Sequence, residues 1–199
     1  MNIAILASGN GSNFEAIVKA AKRGYIKASI NILITDKASA FVRQRAKRNK
    51  IKDLFIDPSK FKSRAEFDRE VIKILKKEKI DLVVLAGFMR ILSPEFVKMF
   101  KNKILNIHPA ILPAFRGERA IGRALKYGCK ITGVTVHFLD EKVDNGPVVL
   151  QKALEIKNGE TLENLEKRIH KLEHKFYPLA VKLFTQGRLK IKNRNVEIR

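Results

Sequence analysis

The sequence predicts an α/β protein: a mostly parallel sheet with helices on both faces and an antiparallel strand pair toward the C-terminus. Three observations carry this. A short apolar run at the N-terminus passes through a glycine turn straight into a helical pattern; apolar runs and amphipathic stretches alternate through the first half; and two later β-type runs are joined by a segment too short for a crossover helix. Alternation of this kind builds βαβ units, whose crossover helices cover both faces of a parallel sheet.

Asn2 to Ser8 reads as the first strand and Gly9-Asn10-Gly11 as the turn after it. Ser12-x-x-Glu15 has the form of a capping box opening a helix that ends near Gly24. Ile30 to Asp36 is a second strand, Ser39 to Asn49 a basic helix, and Leu54 to Asp57 a third strand stopped by Pro58. A second capping box, Ser63-x-x-Glu66, starts a helix running to about Lys79, and Asp81 to Gly87 is a fully apolar strand. Ser93-Pro94 caps a short helix, Ile104 to His108 is a strand, and Pro109 to Gly117 is a loop before a helix ending at Tyr127. Lys130 to Leu139 and Val148 to Ile156 pair antiparallel across Asp140 to Pro147. Thr161 to Thr185 is a long helix with Leu162, Leu165, Ile169, Leu172, Phe176 and Leu183 on one stripe. The tail after Gly187 reads as a short basic strand or as partly ordered.

The chain has 199 residues, with 41 Lys plus Arg against 20 Asp plus Glu, a formal net charge of +21. Its apolar share of 45% suits a globular domain with a well-buried core and excludes disordered and fibrous classes. The longest apolar runs, Ile3 to Ala7 and Leu82 to Ala86, fall far short of the ~20 residues of a membrane span, and Met1-Asn2-Ile3 lacks a basic leader. A cytoplasmic protein is expected, and the single Cys129 fits a reducing compartment. The charge raises the question of nucleic acid. Basic residues cluster at Arg43 to Lys52, Lys73 to Lys79 and Arg188 to Arg199, but between apolar residues and without interleaved aromatics, so no specific nucleic-acid partner is expected.

Gly9-Asn10-Gly11-Ser12-Asn13 follows the first strand and precedes a helix, where open α/β sheets bind anions; a phosphate suits it, and a plain tight turn is the other reading. The dinucleotide fingerprint fails because Phe14 takes the third glycine position. In Asn106-Ile107-His108-Pro109, residues two apart share a face, so Asn106 and His108 project together. An amide beside an imidazole suits acyl transfer, one stabilising an oxyanion and the other moving a proton. Asp144, in Val143-Asp144-Asn145-Gly146-Pro147, is a candidate to orient the ring and favour its charged form, or is a turn former. His137 on its strand and Cys129 after Gly128 read as structural, and His170 and His174 with Glu173 lack a further ligand, so no metal is expected.

At these residues the chain resembles the glycinamide ribonucleotide formyltransferases of purine biosynthesis over nearly its full length. The likeness rests on Ile5 to Asn13, Ala86 to Leu92, Asn106 to Phe115, and Thr132 to Phe138 running into Asp144 to Pro147. It implies a Rossmann-like formyltransferase fold over 1–199, with a phosphate-binding half at 1–100, a catalytic and folate-binding half at 101–186 and a basic tail at 187–199. It implies transfer of a formyl group from 10-formyltetrahydrofolate, as co-substrate, to the ribonucleotide amine, with small-molecule substrates only, no metal and no covalent enzyme intermediate, in a monomer or homodimer.

Carried over by position, Asn106, His108 and Asp144 resemble the catalytic trio. His108 would be the proton shuttle, Asn106 would stabilise the oxyanion, and Asp144 would raise the His108 pKa. Gly11, Ser12 and Asn13 resemble the substrate phosphate loop, and Glu173 a ribose contact. Met89, Arg90, Ile91 and Leu92 resemble the folate wall, with Arg64 near the folate tail, Asn106 also facing the folate, and Asp140 to Asp144 closing over the pterin. The chain departs from the family where Ala110 replaces a usual Ser, and where Arg119 and Ile121 stand at positions sometimes held by His. Among related formyl enzymes, the segment after Thr185 is expected to be too short for the RNA-binding domain of methionyl-tRNA formyltransferases. With the first strand starting at Asn2, the regulatory domain of formyltetrahydrofolate hydrolases is not expected. A hydrolase-like activity and a basic RNA-binding module are the alternative readings.

Overall fold

The computed structural model describes residues 1–199, which form two compact units, Met1–Leu105 and Asn106–Arg199. In the first unit, strand and helix alternate as β1 (Asn2–Leu6), α1 (Ser12–Lys22), β2 (Ser29–Thr35), α2 (Val42–Asn49), β3 (Lys52–Phe55), α3 (Arg64–Lys77), β4 (Leu82–Leu85) and α4 (Pro94–Met99). Strand β1 pairs with β2 on one side and β4 on the other, and β2 pairs with β3, all in parallel. Ile3, Ile5, Ile32, Ile34, Leu82 and Val84 are wholly inaccessible, as continuous apolar strands must be when both faces of a sheet are covered. The helices contribute buried stripes: Phe14, Ile17 and Val18 from α1, Val42 and Ala46 from α2, Phe67, Val71 and Leu75 from α3.

The turn after β1 overturns the expected Ser12 capping box. Gly11 is the N-cap residue, at φ 77°, and no side chain caps the helix. A Cβ on Gly11 would lie 2.3 Å from Val42 Cγ2, so both the left-handed backbone and the close approach of α2 require glycine. With Ser12 already inside the first turn, its hydroxyl is not placed to accept the N–H three residues on. Helix α2 likewise starts at Val42 rather than Ser39. Helix α3 does follow its signal, with Ser63 Oγ accepting the Glu66 N–H at 3.2 Å. Ser93 Oγ similarly accepts the Phe96 N–H at 3.3 Å to open α4.

Strand β5 (Ile104–His108) runs across the division between the units. The second unit continues with α5 (Ala120–Tyr127), β6 (Ile131–Phe138), β7 (Val148–Glu155), α6 (Leu162–Thr185), β8 (Leu189–Lys192) and β9 (Asn195–Ile198). Strands β6 and β7 are antiparallel as expected, with a register shift between Val136 and His137. The tail is a β8–β9 hairpin that meets β7 in parallel at Val148. Helix α6 opens on Thr161, whose Oγ1 accepts the Asn164 N–H. Its Leu165 and Ile169 pack with Ile121, Val134 and Ile156, while Leu172, Phe176 and Cys129 lean on the same cluster. Leu162, expected on this stripe, is 43% exposed instead. The fold is α/β, its pairings parallel in the first unit and antiparallel pairs toward the C-terminus. No helix is long and apolar enough to cross a membrane.

Candidate active site

Strand β5 presents Asn106 and His108 two residues apart, and the loop after β6 brings Asp144 to them. His108 Nδ1 lies 3.2 Å from Asp144 Oδ2, and Asn106 Nδ2 lies 3.4 Å from Asp144 Oδ1. His108 and Asp144 are 5% and 8% exposed, so their mutual field is weakly screened by solvent. The loop geometry that places the carboxylate follows from its sequence. Asp144 takes φ 46°, Asp140 accepts hydrogen bonds from the Lys142 N–H and the Asn145 amide, and a Cβ on Gly146 would lie 1.9 Å from the Phe138 carbonyl oxygen. The Gly117 N–H donates to Asp144 Oδ2 at 2.8 Å, tying the start of the α5 region to the same oxygen.

Both ring nitrogens of His108 face acceptors. Nε2 is 2.9 Å from the Phe115 carbonyl oxygen, while Nδ1 faces Asp144. An imidazolium satisfies both; a neutral ring satisfies one. Burial nevertheless pushes the His108 pKa down, and although Asp144 and the Phe115 carbonyl push it up, the net direction is below the ordinary histidine value. Asp144 thus acts in the expected direction, but burial outweighs it. For Asp144 the balance is reversed. Burial raises its pKa, yet the Gly117 N–H and the neighbouring His137 and His108 in their protonated forms together hold it below the ordinary carboxylate value.

His137, read from the sequence as structural, belongs to this constellation. Its Nδ1 is 2.8 Å from the Phe138 carbonyl oxygen, an acceptor only, so Nδ1 carries the proton and Nε2 is free to accept. Nε2 accepts from Asn106 Nδ2 at 3.2 Å; its 3.6 Å separation from Asp144 Oδ1 is too long for a hydrogen bond. His137 therefore fixes which end of the Asn106 amide faces inward. The signal was its alternation with Thr135 on one strand. Thr135 Oγ1 donates to the Ala110 carbonyl and accepts the Leu112 N–H, while Gln151 Nε2 bonds both Thr135 Oγ1 and the Leu112 carbonyl. This network holds the loop whose Phe115 carbonyl meets His108. Glu173 is buried on α6.

The first unit contains the remaining sequence-derived positions. Gly11 and the opening residues Ser12 and Asn13 of α1 lie at the end of β1, without a side-chain cap. After β4, Met89 and Ile91 stand 66% and 58% exposed, Leu92 is buried, and the Met89 N–H donates to Ser8 Oγ. The Arg90 guanidinium sits 4.5 Å over the Phe67 ring. Beside it, the buried Asp68 accepts the Ser93 N–H at 2.5 Å, and its pKa is raised by burial against the opposing charges of Arg64 and Arg90. Arg64 is the exposed first residue of α3.

A formyl transferase family model matches residues 1–181. The phosphoribosylglycinamide formyltransferase of Bacillus subtilis (strain 168) is 45% identical over 179 residues, covering 90% of this chain and 92% of the relative. That of Escherichia coli (strain K12) is 41% identical over 191 residues, covering 96% and 90%. The crystal structure of glycinamide ribonucleotide transformylase 1 from Symbiobacterium toebii matches with a TM-score of 0.98 at 42% identity, covering 100% of this chain and 93% of that one.

Proposed function

The chain belongs to the formyl transferase family, and from that premise we propose that this formyltransferase moves the formyl group of 10-formyltetrahydrofolate to the amine of 5-phosphoribosylglycinamide, a step of de novo purine biosynthesis. The observation that carries the proposal is the convergence of Asn106, His108 and Asp144. In the reaction the amine nitrogen attacks the formyl carbon, forming the new C–N bond and turning the carbonyl oxygen into an oxyanion. The attacking nitrogen then loses a proton, and the folate nitrogen gains one as its bond to the formyl carbon breaks. Formylated ribonucleotide and tetrahydrofolate leave.

His108 is the group that moves the proton, directly or through a water. Burial keeps its pKa below the ordinary value, so at neutral pH the neutral ring can accept a proton, while Asp144 stabilises the cation that forms. His108 Nε2 must exchange the Phe115 carbonyl for substrate or water to do this. Asn106 stabilises the oxyanion. Of its two amide hydrogens, the one directed to His137 is held at the shorter distance, and the one at 3.4 Å from Asp144 turns to the developing charge.

Gly11, Ser12 and Asn13 receive the ribonucleotide phosphate at the uncapped start of α1, where the helix dipole favours an anion. Glu173 contacts the ribose hydroxyls. Met89, Arg90, Ile91 and Leu92 form the folate wall, with Arg64 toward the carboxylate tail and Asp140 toward the pterin. The net charge of +21 draws both anionic substrates toward the protein. The test is an assay of folate turnover with and without the ribonucleotide. Turnover should require it and yield the formylated product one for one. Turnover without it would make the enzyme a hydrolase.

A further inference from the structure

We propose that Arg45 is a positioning residue for the ribonucleotide phosphate, acting through the turn Gly9-Asn10-Gly11; this rests on the phosphate-loop reading above and deepens it. Arg45 lies half-buried on α2. Its Nε donates to the Asn10 carbonyl at 2.9 Å and its Nη2 to Asn10 Oδ1 at 2.9 Å, a two-pronged grip on the backbone and side chain of one residue. The guanidinium is braced on both sides, 5.0 Å over the Phe41 ring and 3.7 Å from Glu15 of α1 through Nη1.

The same helix touches the turn at two further points. The Val42 N–H donates to the Gly9 carbonyl at 3.1 Å, and the Val42 side chain fills the space a Cβ on Gly11 would need. Asn49, one turn on, donates to Glu15 Oε2 at 3.2 Å and binds α2 to α1. The turn is thus gripped at Gly9, Asn10 and Gly11 in succession. Asn10 itself is exposed, and an exposed asparagine in a glycine-flanked turn has many conformations open to it. The planar fork of Arg45 removes that freedom by satisfying two oxygens at once, which an ammonium cannot do with the same geometry. Backbone amides that bind phosphate must point at one place, so the orientation of this turn sets affinity. Arg45 supplies it and adds one positive charge next to the anion.

The experiment compares wild type with Arg45→Ala and Arg45→Lys, each shown to be folded by circular dichroism. Kinetics for both substrates are measured at two salt concentrations, beside backbone-amide NMR titrations with inorganic phosphate. In wild type, phosphate should shift the amides of Gly9 to Asn13. Both variants should raise KM for the ribonucleotide by about tenfold, with kcat within about twofold and the folate KM unchanged. Lysine should fail to rescue. If phosphate shifts the loop amides but Arg45→Lys behaves as wild type while Arg45→Ala shows a salt-screened loss, only charge matters and the positioning role is overturned. If neither variant changes KM, it is overturned as well, with the loop reading intact. If phosphate leaves the wild-type loop amides unmoved, the phosphate reading fails and this inference falls with it.

Discussion

Replacing Asp144 by Asn removes a charge while keeping shape, and the surroundings of Asp144 say what should follow. The carboxylate oxygens face four groups: the Gly117 N–H at 2.8 Å, His108 Nδ1 at 3.2 Å, Asn106 Nδ2 at 3.4 Å and His137 Nε2 at 3.6 Å. If the new amide turns its oxygen to Gly117 and His108, its NH2 confronts the NH2 of Asn106. The reverse orientation sets donor against donor at Gly117. Either way one partner is lost together with the charge. A unit charge pair at 3.2 Å is worth about 5 kcal/mol at an effective dielectric constant of 20, an upper bound on what the imidazolium loses. We expect kcat to fall by roughly 10² to 10⁴, with both KM values less affected.

The pH profile carries the more specific signature. Burial already depresses the His108 pKa and Asp144 offsets part of that. Without the carboxylate the offset disappears, so the His108-dependent limb should move to lower pH. Adding His108→Ala to Asp144→Asn should then cost little more, because groups that act as a unit are non-additive. Rates of the single and double variants across pH check this. An unshifted limb with fully additive losses would refute the reasoning and leave Asp144 as a loop residue.

Three further outcomes are expected. Gly11→Val, which meets Val42 at close range and strains a left-handed backbone, should lower the urea midpoint and raise KM for the ribonucleotide more than for the folate; an equal rise in a folded variant removes the loop from the site. Arg64→Ala, at the exposed start of α3, should weaken folates bearing a glutamate tail and spare a folate lacking one; equal loss for both folates refutes the assignment. Asp68 has a raised pKa in the folded chain, so the unfolded chain ionises first and wild type should lose stability relative to Asp68→Asn as pH rises above the ordinary carboxylate value. Denaturant titrations at several pH values check the sign, and a difference that does not vary with pH refutes it.

How far the sequence could be read depended on the range of the interactions involved. Ile104 to His108 was legible as a strand, and Asn106 with His108 as a pair, because period-two alternation is local. The trio as a unit was carried by family likeness, since Asp144 lies in a loop whose turn residues suit many folds. Ser12 misled because a capping box is a string of residue types, whereas Gly11 and Val42, far apart in sequence, fix the helix start through a steric contact. Arg45 was hidden among basic residues that looked like a solvated helix face, and what distinguishes it is its grip on Asn10, 35 positions away.

His137 is the most instructive case. Strand alternation puts it with Thr135, and a buried histidine bonded to its neighbour's carbonyl satisfies the bland reading through Nδ1 alone. Its contact with the candidate site uses the other nitrogen, and the partner, Asn106, lies 31 positions earlier. Beside this histidine the register of β6 and β7 shifts, Val136 pairing with Leu150 and His137 with Val148, so the extra residue, Val149, belongs to β7. Nothing in Thr135-Val136-His137-Phe138 encodes that shift by itself. It falls where the antiparallel partner strand begins at Val148, two residues after Gly146, which packs against the Phe138 carbonyl where a larger residue could not. The glycine that shapes the Asp144 loop therefore also lies against the carbonyl that holds His137 Nδ1, so a substitution at Gly146 should disturb the carboxylate and the imidazole together.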